Sequence, residues 1–164
     1  MKKLFILFIA VAGFGVNSFG QSSATATATA DLVTPISISK TLDMNFGTLA
    51  SSGTAGTLIL ATDNSRTSSG GVKILTATTG QAATFTVTGS GTQTYSITLP
   101  STDVSLVSGA NSLIANTFTS NPTPTGTLNG GTQTLLVGAT LNVPANQIAG
   151  TYVSSNFTVT VNYN

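Results

Sequence analysis

Residues 24–46 read ATATATADLVTPISISKTLDMNF. The even positions are Ala24, Ala26, Ala28, Ala30, Leu32, Thr34, Ile36, Ile38, Lys40, Leu42, Met44 and Phe46. The odd positions between them are almost all Thr, Ser, Asp or Asn. A period of two places alternate side chains on opposite faces of an extended strand. The stretch therefore predicts a long one-faced strand near the start of the chain, built to pair with its own sheet or a neighbour's. It divides by bulk. Ala24 to Ala30 is slim and suits a narrow groove or disorder, whereas Leu32 to Phe46 carries the large residues and is expected to be anchored in a sheet. Pro35, on the polar face, falls between the two parts.

Upstream, Lys2 and Lys3 precede an apolar run from Leu4 to Val16, and Ser18-Phe19-Gly20 supplies small residues before a cut. This is the pattern of a secretory signal peptide over residues 1–20, with Gln21 as the mature start. The apolar run is too short to span a bilayer, and no second run of spanning length follows. The expected organisation is a signal peptide (1–20), an N-terminal extension or candidate donor strand (21–32) and one β-sandwich domain (33–164). Localisation outside the cytoplasm follows, secreted or in the periplasm in transit to the cell surface.

The mature part is long enough to bury a core without covalent staples. It contains no Cys, so no disulfide can form. Lys40, Arg66 and Lys73 stand against Asp31, Asp43, Asp63 and Asp103, with no Glu and no His. Nucleic-acid binding leaves a basic footprint, and none is present. Solubility rests on Thr, Ser, Asn and Gln. Low charge with high β-propensity fits a surface assembly subunit better than a cytosolic enzyme.

Downstream, strand patterns follow one another between Gly, Ser, Asn and Pro. Thr57–Thr62 is apolar on both faces, as a central strand would be, and Asp63–Gly71 reads as a polar loop. Val72–Ala77 is the next strand. Ala83–Ser90 and Gln93–Leu99 flank Gly89-Ser90-Gly91 and read as a hairpin. Asp103–Val107 and Leu113–Thr119 are shorter strands. Thr132–Val143 puts Leu135, Val137, Ala139, Leu141 and Val143 on one face, with Gly138 marking a bulge or a close backbone approach. The last strand, Tyr152–Tyr163, puts Phe157, Val159, Val161 and Tyr163 on one face. Many short strands with turns between them predict an all-β, immunoglobulin-like Greek-key β-sandwich, completed by an N-terminal strand of its own or of a neighbour.

Three segments, taken with the opening alternation, form a distinctive order. They are Leu42-Asp43-Met44-Asn45-Phe46-Gly47, Leu135 to Val143 followed by Ile148-Ala149-Gly150-Thr151-Tyr152, and Phe157 to Tyr163. The mature chain resembles the secreted bacterial family called domain of unknown function 4402. It is also similar to the major subunits of archaic chaperone–usher pili and to spore-coat-protein-U-like domains. The resemblance implies an incomplete sandwich whose groove receives a neighbour's N-terminal strand, with a periplasmic chaperone and an outer-membrane usher as partners. By position, the implied donor strand is Ala24, Ala26, Ala28, Ala30 and Leu32. The implied groove and terminal strand are Gly150, Tyr152, Phe157, Val159, Val161 and Tyr163. This is β-strand addition, in which main-chain bonds hold and alternate side chains set register. Many such pilins carry a Cys pair and bulky donor residues, where this chain has no Cys and four Ala. Four buried Ala methyls contribute roughly 3 kcal/mol, against about 1–2 kcal/mol to order each backbone residue. A donor grip that extends to Leu32 adds about 2–3 kcal/mol.

Catalytic chemistry has few candidates. Without His or Cys, the commonest general base, the thiol nucleophile and most zinc sites are excluded. The four Asp residues read as solvated or turn-forming. Asp63-Asn64 lacks the full oxygen set of a calcium loop, and Lys40 and Lys73 have no Glu to promote an isopeptide crosslink. No enzyme activity, cofactor or metal is expected. The favoured function is a structural subunit of an extracellular fimbrial or filamentous assembly that polymerises by β-strand donation, through self-association or with related pilin subunits. The alternative is a stand-alone secreted binding or adhesion module, which needs a complete sheet and exposed loop aromatics.

Overall fold

A computed structural model of the chain describes residues 20–164. The signal-peptide pattern therefore lies outside the described residues, apart from Gly20. The chain divides into two units between Asp31 and Leu32. In the first unit, residues 20–31 are exposed and belong to no strand. The second unit is all-β, and among the described residues no helix is long and apolar enough to cross a membrane.

Thirteen strands make up the second unit. They are β1 (Ser37–Leu42), β2 (Leu49–Ala50), β3 (Gly56–Leu60), β4 (Arg66–Gly70), β5 (Lys73–Ile74), β6 (Ala83–Thr88), β7 (Thr94–Thr98), β8 (Val104–Ser108), β9 (Asn111–Asn121), β10 (Thr125–Thr127), β11 (Thr132–Val143), β12 (Val153–Ser154) and β13 (Thr160–Tyr163). The largest sheet runs β1-β6-β11-β9-β8-β12. A three-stranded sheet runs β10-β7-β13, and β2 pairs with β5.

Strand β11 is the trunk. Its first half pairs with β6 and its second half with β3, end to end along one edge, while β9 takes the other edge. Its alternate residues Leu135, Val137, Ala139, Leu141 and Val143 are all buried, as the period-two pattern requires. At Gly138 both expected features are present. Two residues of β9, Thr117 and Phe118, oppose the single Ala139, and Thr117 takes a φ of 48°. The extra residue is thus on the partner strand. Gly138 itself is needed because the backbone of Leu60 and Ala61 lies where its Cβ would be.

Two buried clusters fill the interior along β11. One contains Phe85, Val87, Tyr95, Leu128, Leu135, Val137, Val159 and Val161, between the first half of β11 and the three-stranded sheet. The other contains Phe46, Leu58, Leu60, Leu113, Leu141 and Val143. Met44, Phe118 and Phe157 pack against both. Phe118 and Phe157 meet with ring centroids 5.3 Å apart, a tilted aromatic pair.

Several expectations need correction. The opening strand is short. β1 starts at Ser37, and Leu32 is 100% exposed, so the sheet anchor starts beyond Pro35 rather than at Leu32. Within β1 an extra residue at Thr41 shifts the register between Lys40 and Leu42. That bulge turns Leu42 to the outer face opposite Thr84 and breaks the predicted alternation. β6 and β7 are not a hairpin. β6 pairs with β1 and β11, and β7 pairs with β10 and β13, so Gly89-Ser90-Gly91 carries the chain from one sheet to the other. The two strands pack their apolar faces against each other instead of sharing hydrogen bonds. The polar stretch Asp63–Gly71 contains β4, an added strand on β3, and Ile59 on β3 is 47% exposed, so β3 is not buried on both faces. Val72–Ala77 shrinks to β5. The last strand divides into β12 and β13, with Phe157 in the irregular stretch between them.

Candidate functional site

The three-stranded sheet covers only one of the two clusters. Over the other, β2 and β5 are two residues each and pair only with each other, too short to close the layer. The result is a cleft of about 710 Å³. Its floor is the inner face of the large sheet, formed by Leu106, Leu113, Leu141 and Val143. One wall is the stretch from Met44 to Ser51, and the other runs from Gln147 to Tyr152. An apolar floor between two irregular stretches of chain suits an extended segment, whose alternate side chains need pockets.

Each wall is braced. The Arg66 guanidinium donates to four carbonyls: Nη1 to Phe46 (3.1 Å) and Thr48 (3.3 Å), and Nη2 to Leu75 (3.2 Å) and Thr78 (2.9 Å). A single planar fork thus pins the first wall to the loop after β5. On the second wall, the Tyr152 hydroxyl donates to the Ile148 carbonyl at 2.7 Å and accepts from Gln147 Nε2 at 2.8 Å. The walls join at one end, where Ser51 Oγ donates to the Gln147 carbonyl (3.0 Å) and the Asn146 amide donates to the Ser52 carbonyl (2.8 Å). Replacing Arg66 with Met keeps the aliphatic stem and removes the fork. Charge-assisted bonds of this kind contribute about 1.5–3 kcal/mol when fully sequestered. Arg66 is only half-buried, so the Arg66→Met variant should lose roughly 2–4 kcal/mol in all, read as a lower urea midpoint with unchanged slope.

The residues singled out from sequence fall into three groups. Gly150 and Tyr152 line the second wall of the cleft. Val159 and Val161 are buried in the first cluster, Phe157 packs against both clusters, and Tyr163 is half-buried at the end of β13. β13 pairs with β7 on one side and ends its sheet on the other. Ala24, Ala26, Ala28, Ala30 and Leu32 are exposed and outside every strand. Of the remaining lining, Met44 to Gly47 and the alternating Leu141 and Val143 lie in patterns visible in the sequence, though not as site residues. The bracing role of Arg66 has one sequence signal, a lone Arg in a chain otherwise almost free of charge.

The carboxylates are spread apart. Asp43 pairs with Lys40 at 2.6 Å on the surface, Asp103 accepts from Asn116 Nδ2 at 3.2 Å, and Asp31 is exposed. Asp63 accepts from the Ser65 amide at 2.9 Å, and Asn64 Oδ1 accepts from the Ala82 amide at 2.7 Å. Asp63 therefore serves its own turn, and Asn64 ties that turn to the lead into β6. Among the described residues no three His, Cys, Asp or Glu side chains cluster.

Two groups depart from their ordinary titration. The Ser65 hydroxyl and amide hold Asp63 below the usual carboxylate range. Burial pushes the Tyr95 hydroxyl up, and in its neutral form it donates to Gln133 Oε1 at 2.9 Å. A depressed Asp contributes stability above its unfolded value that is lost as pH falls through the folded one. A raised Tyr contributes below its unfolded value and loses that as pH rises. With no His or Cys, thermal stability should be flat between about pH 5 and 9 and fall above about pH 10. In Tyr95→Phe the alkaline fall should move to higher pH.

An all-β sandwich with one cluster only part-covered and a cleft floored by its main sheet is the class these features define. The chain belongs to the family described as Domain of unknown function (DUF4402), which it matches over residues 36–163. That span covers β1 to β13, with both walls of the cleft. No curated protein and no solved structure matches the chain.

Proposed function

We propose that the protein is a structural subunit of an extracellular fimbrial or filamentous assembly, in which the N-terminal extension of one copy enters the cleft of the next as an added strand. One observation carries this reading. A tract patterned as a strand, Ala24 to Leu32, lies outside every sheet, while the sandwich leaves an apolar-floored cleft uncovered. Fully exposed Leu32 would bury about 2–3 kcal/mol of side chain on entry. Each added main-chain hydrogen bond contributes on the order of 1 kcal/mol net. The Ala positions keep the inserted strand slim enough to lie close against the sheet. Export by the signal peptide, protection by a periplasmic chaperone and passage through an outer-membrane usher fit the same reading, because a free cleft and a free strand must be kept apart until assembly.

Light scattering on chain 21–164 over a hundredfold concentration range tests this. Growth of oligomers by whole subunits supports it. A monomer at every concentration contradicts it.

A further inference from the structure

We propose that the Tyr163 hydroxyl is a latch on the root of the N-terminal extension, directing that extension into a second copy of the chain rather than back into its own cleft. The proposal rests on the strand-donation reading above. Tyr163 Oη donates to the Thr34 carbonyl at 2.8 Å and accepts from the Ser90 amide at 2.7 Å. One hydroxyl thus joins three separate pieces of chain: the terminal strand β13, the crossover from β6 to β7, and the lead into β1. The crossover is shaped for it, since a Cβ on Gly89 would collide with the phenol oxygen.

Thr34 is the residue before Pro35. The Thr34–Pro35 peptide has no N–H, so its one polar atom is the carbonyl that Tyr163 holds. Pro35 also keeps Thr34 out of the helical region and in an extended conformation. Two constraints therefore fall on adjacent residues at the root. Beyond them Leu32 is fully exposed.

The root and the cleft are at opposite ends of the sandwich. Ser37 lies opposite Thr88, and Thr88 lies opposite Thr132, the first residue of β11. The cleft floor includes Leu141 and Val143 at the other end of that strand. At about 3.3 Å per residue the separation is roughly 30–36 Å. β1 runs from the root toward the cleft end. An extension filling its own cleft would have to run back beside β1, so the chain would reverse direction between Asp31 and Ser37. Thr34 and Pro35, the two residues held, lie within that span. Filling a neighbour's cleft needs no reversal. It joins the root end of one copy to the cleft end of the next, a heterologous contact that extends linearly.

The test is Tyr163→Phe in chain 21–164, which keeps the ring and removes the hydroxyl. Amide exchange at Ser90 should accelerate at least tenfold. The assembly should shift from linear oligomers toward a concentration-independent monomer whose cleft no longer binds an added peptide of residues 21–33. Pro35→Ala, which alters no buried side chain, should shift the assembly the same way and decides the matter if Tyr163→Phe does not fold. If the unaltered chain assembles and both variants assemble identically to it, the latch is overturned and strand donation stands. If the unaltered chain never assembles, donation is overturned and the latch with it.

Discussion

Chain 21–164 lacking Ser22–Asp31 is expected to remain a folded monomer at concentrations where the unaltered chain 21–164 forms oligomers. The physical ground is a separation of roles along the sequence. Every strand and both buried clusters lie within Leu32–Asn164. Residues 22–31 are exposed and outside every strand, so deleting them should change the thermal midpoint by no more than a few degrees. The same deletion removes all four Ala positions of the candidate donor strand, and the apparent association constant should fall by at least a hundredfold. Adding a peptide of residues 21–33 to the shortened chain should restore cleft occupancy and raise its midpoint by mass action.

The largest loss of stability is expected from Gly138→Val. β11 bonds three other strands, and Gly138 is where β6 hands over to β3 along its edge. A Cβ there would press into the Leu60 carbonyl, which is backbone and cannot rotate away. Relief requires β3 to move off β11, and Leu58 and Leu60, both 0% exposed, would move with it. A loss of about 4–5 kcal/mol or more is expected. Against a typical total of about 5–15 kcal/mol the variant should be largely unfolded or recovered only as aggregate. Thr134→Ala, on the exposed face of the same strand, should stay within about 0.5 kcal/mol of the parent.

The trunk of this fold is legible in sequence because β11 alternates over its whole length between two sharp turns. The glycines of one turn, Gly130 and Gly131, take φ of 59° and 82°. The buried faces of β6, β7 and β13 are legible for the same reason. Pairing is not. Gly89-Ser90-Gly91 suits a hairpin and a crossover equally, since both need tight, polar chain reversals, and the choice was made by distant partners, Tyr163 and Gly131. β4 is not legible because its Thr67, Ser68 and Ser69 bury little apolar surface, and its one large residue, Arg66, serves carbonyls rather than a core. The end of the opening alternation was hidden by the bulge at Thr41, which shifts phase without any Gly or Pro to announce it. Part of the candidate site is legible: Gly150 and Tyr152 lie on a sequence motif and line the cleft, but the terminal strand grouped with them packs in the covered cluster instead. The cleft is a gap between residues 44–51 and 147–152, and a gap between segments so far apart in the chain leaves no local pattern.

The absence of Cys makes one direct test clean. Chain 21–164 carrying Ala28→Cys and a mass-distinguishable chain carrying Ala149→Cys are refolded together and mildly oxidised. Ala28 is on the free tract and Ala149 on the cleft wall. A disulfide between the two different chains is expected as the main product, lost when excess peptide of residues 21–33 is present. Absence of that heterodimer, with a closed loop forming instead inside a single chain that carries both substitutions, would contradict donation from one copy to the next.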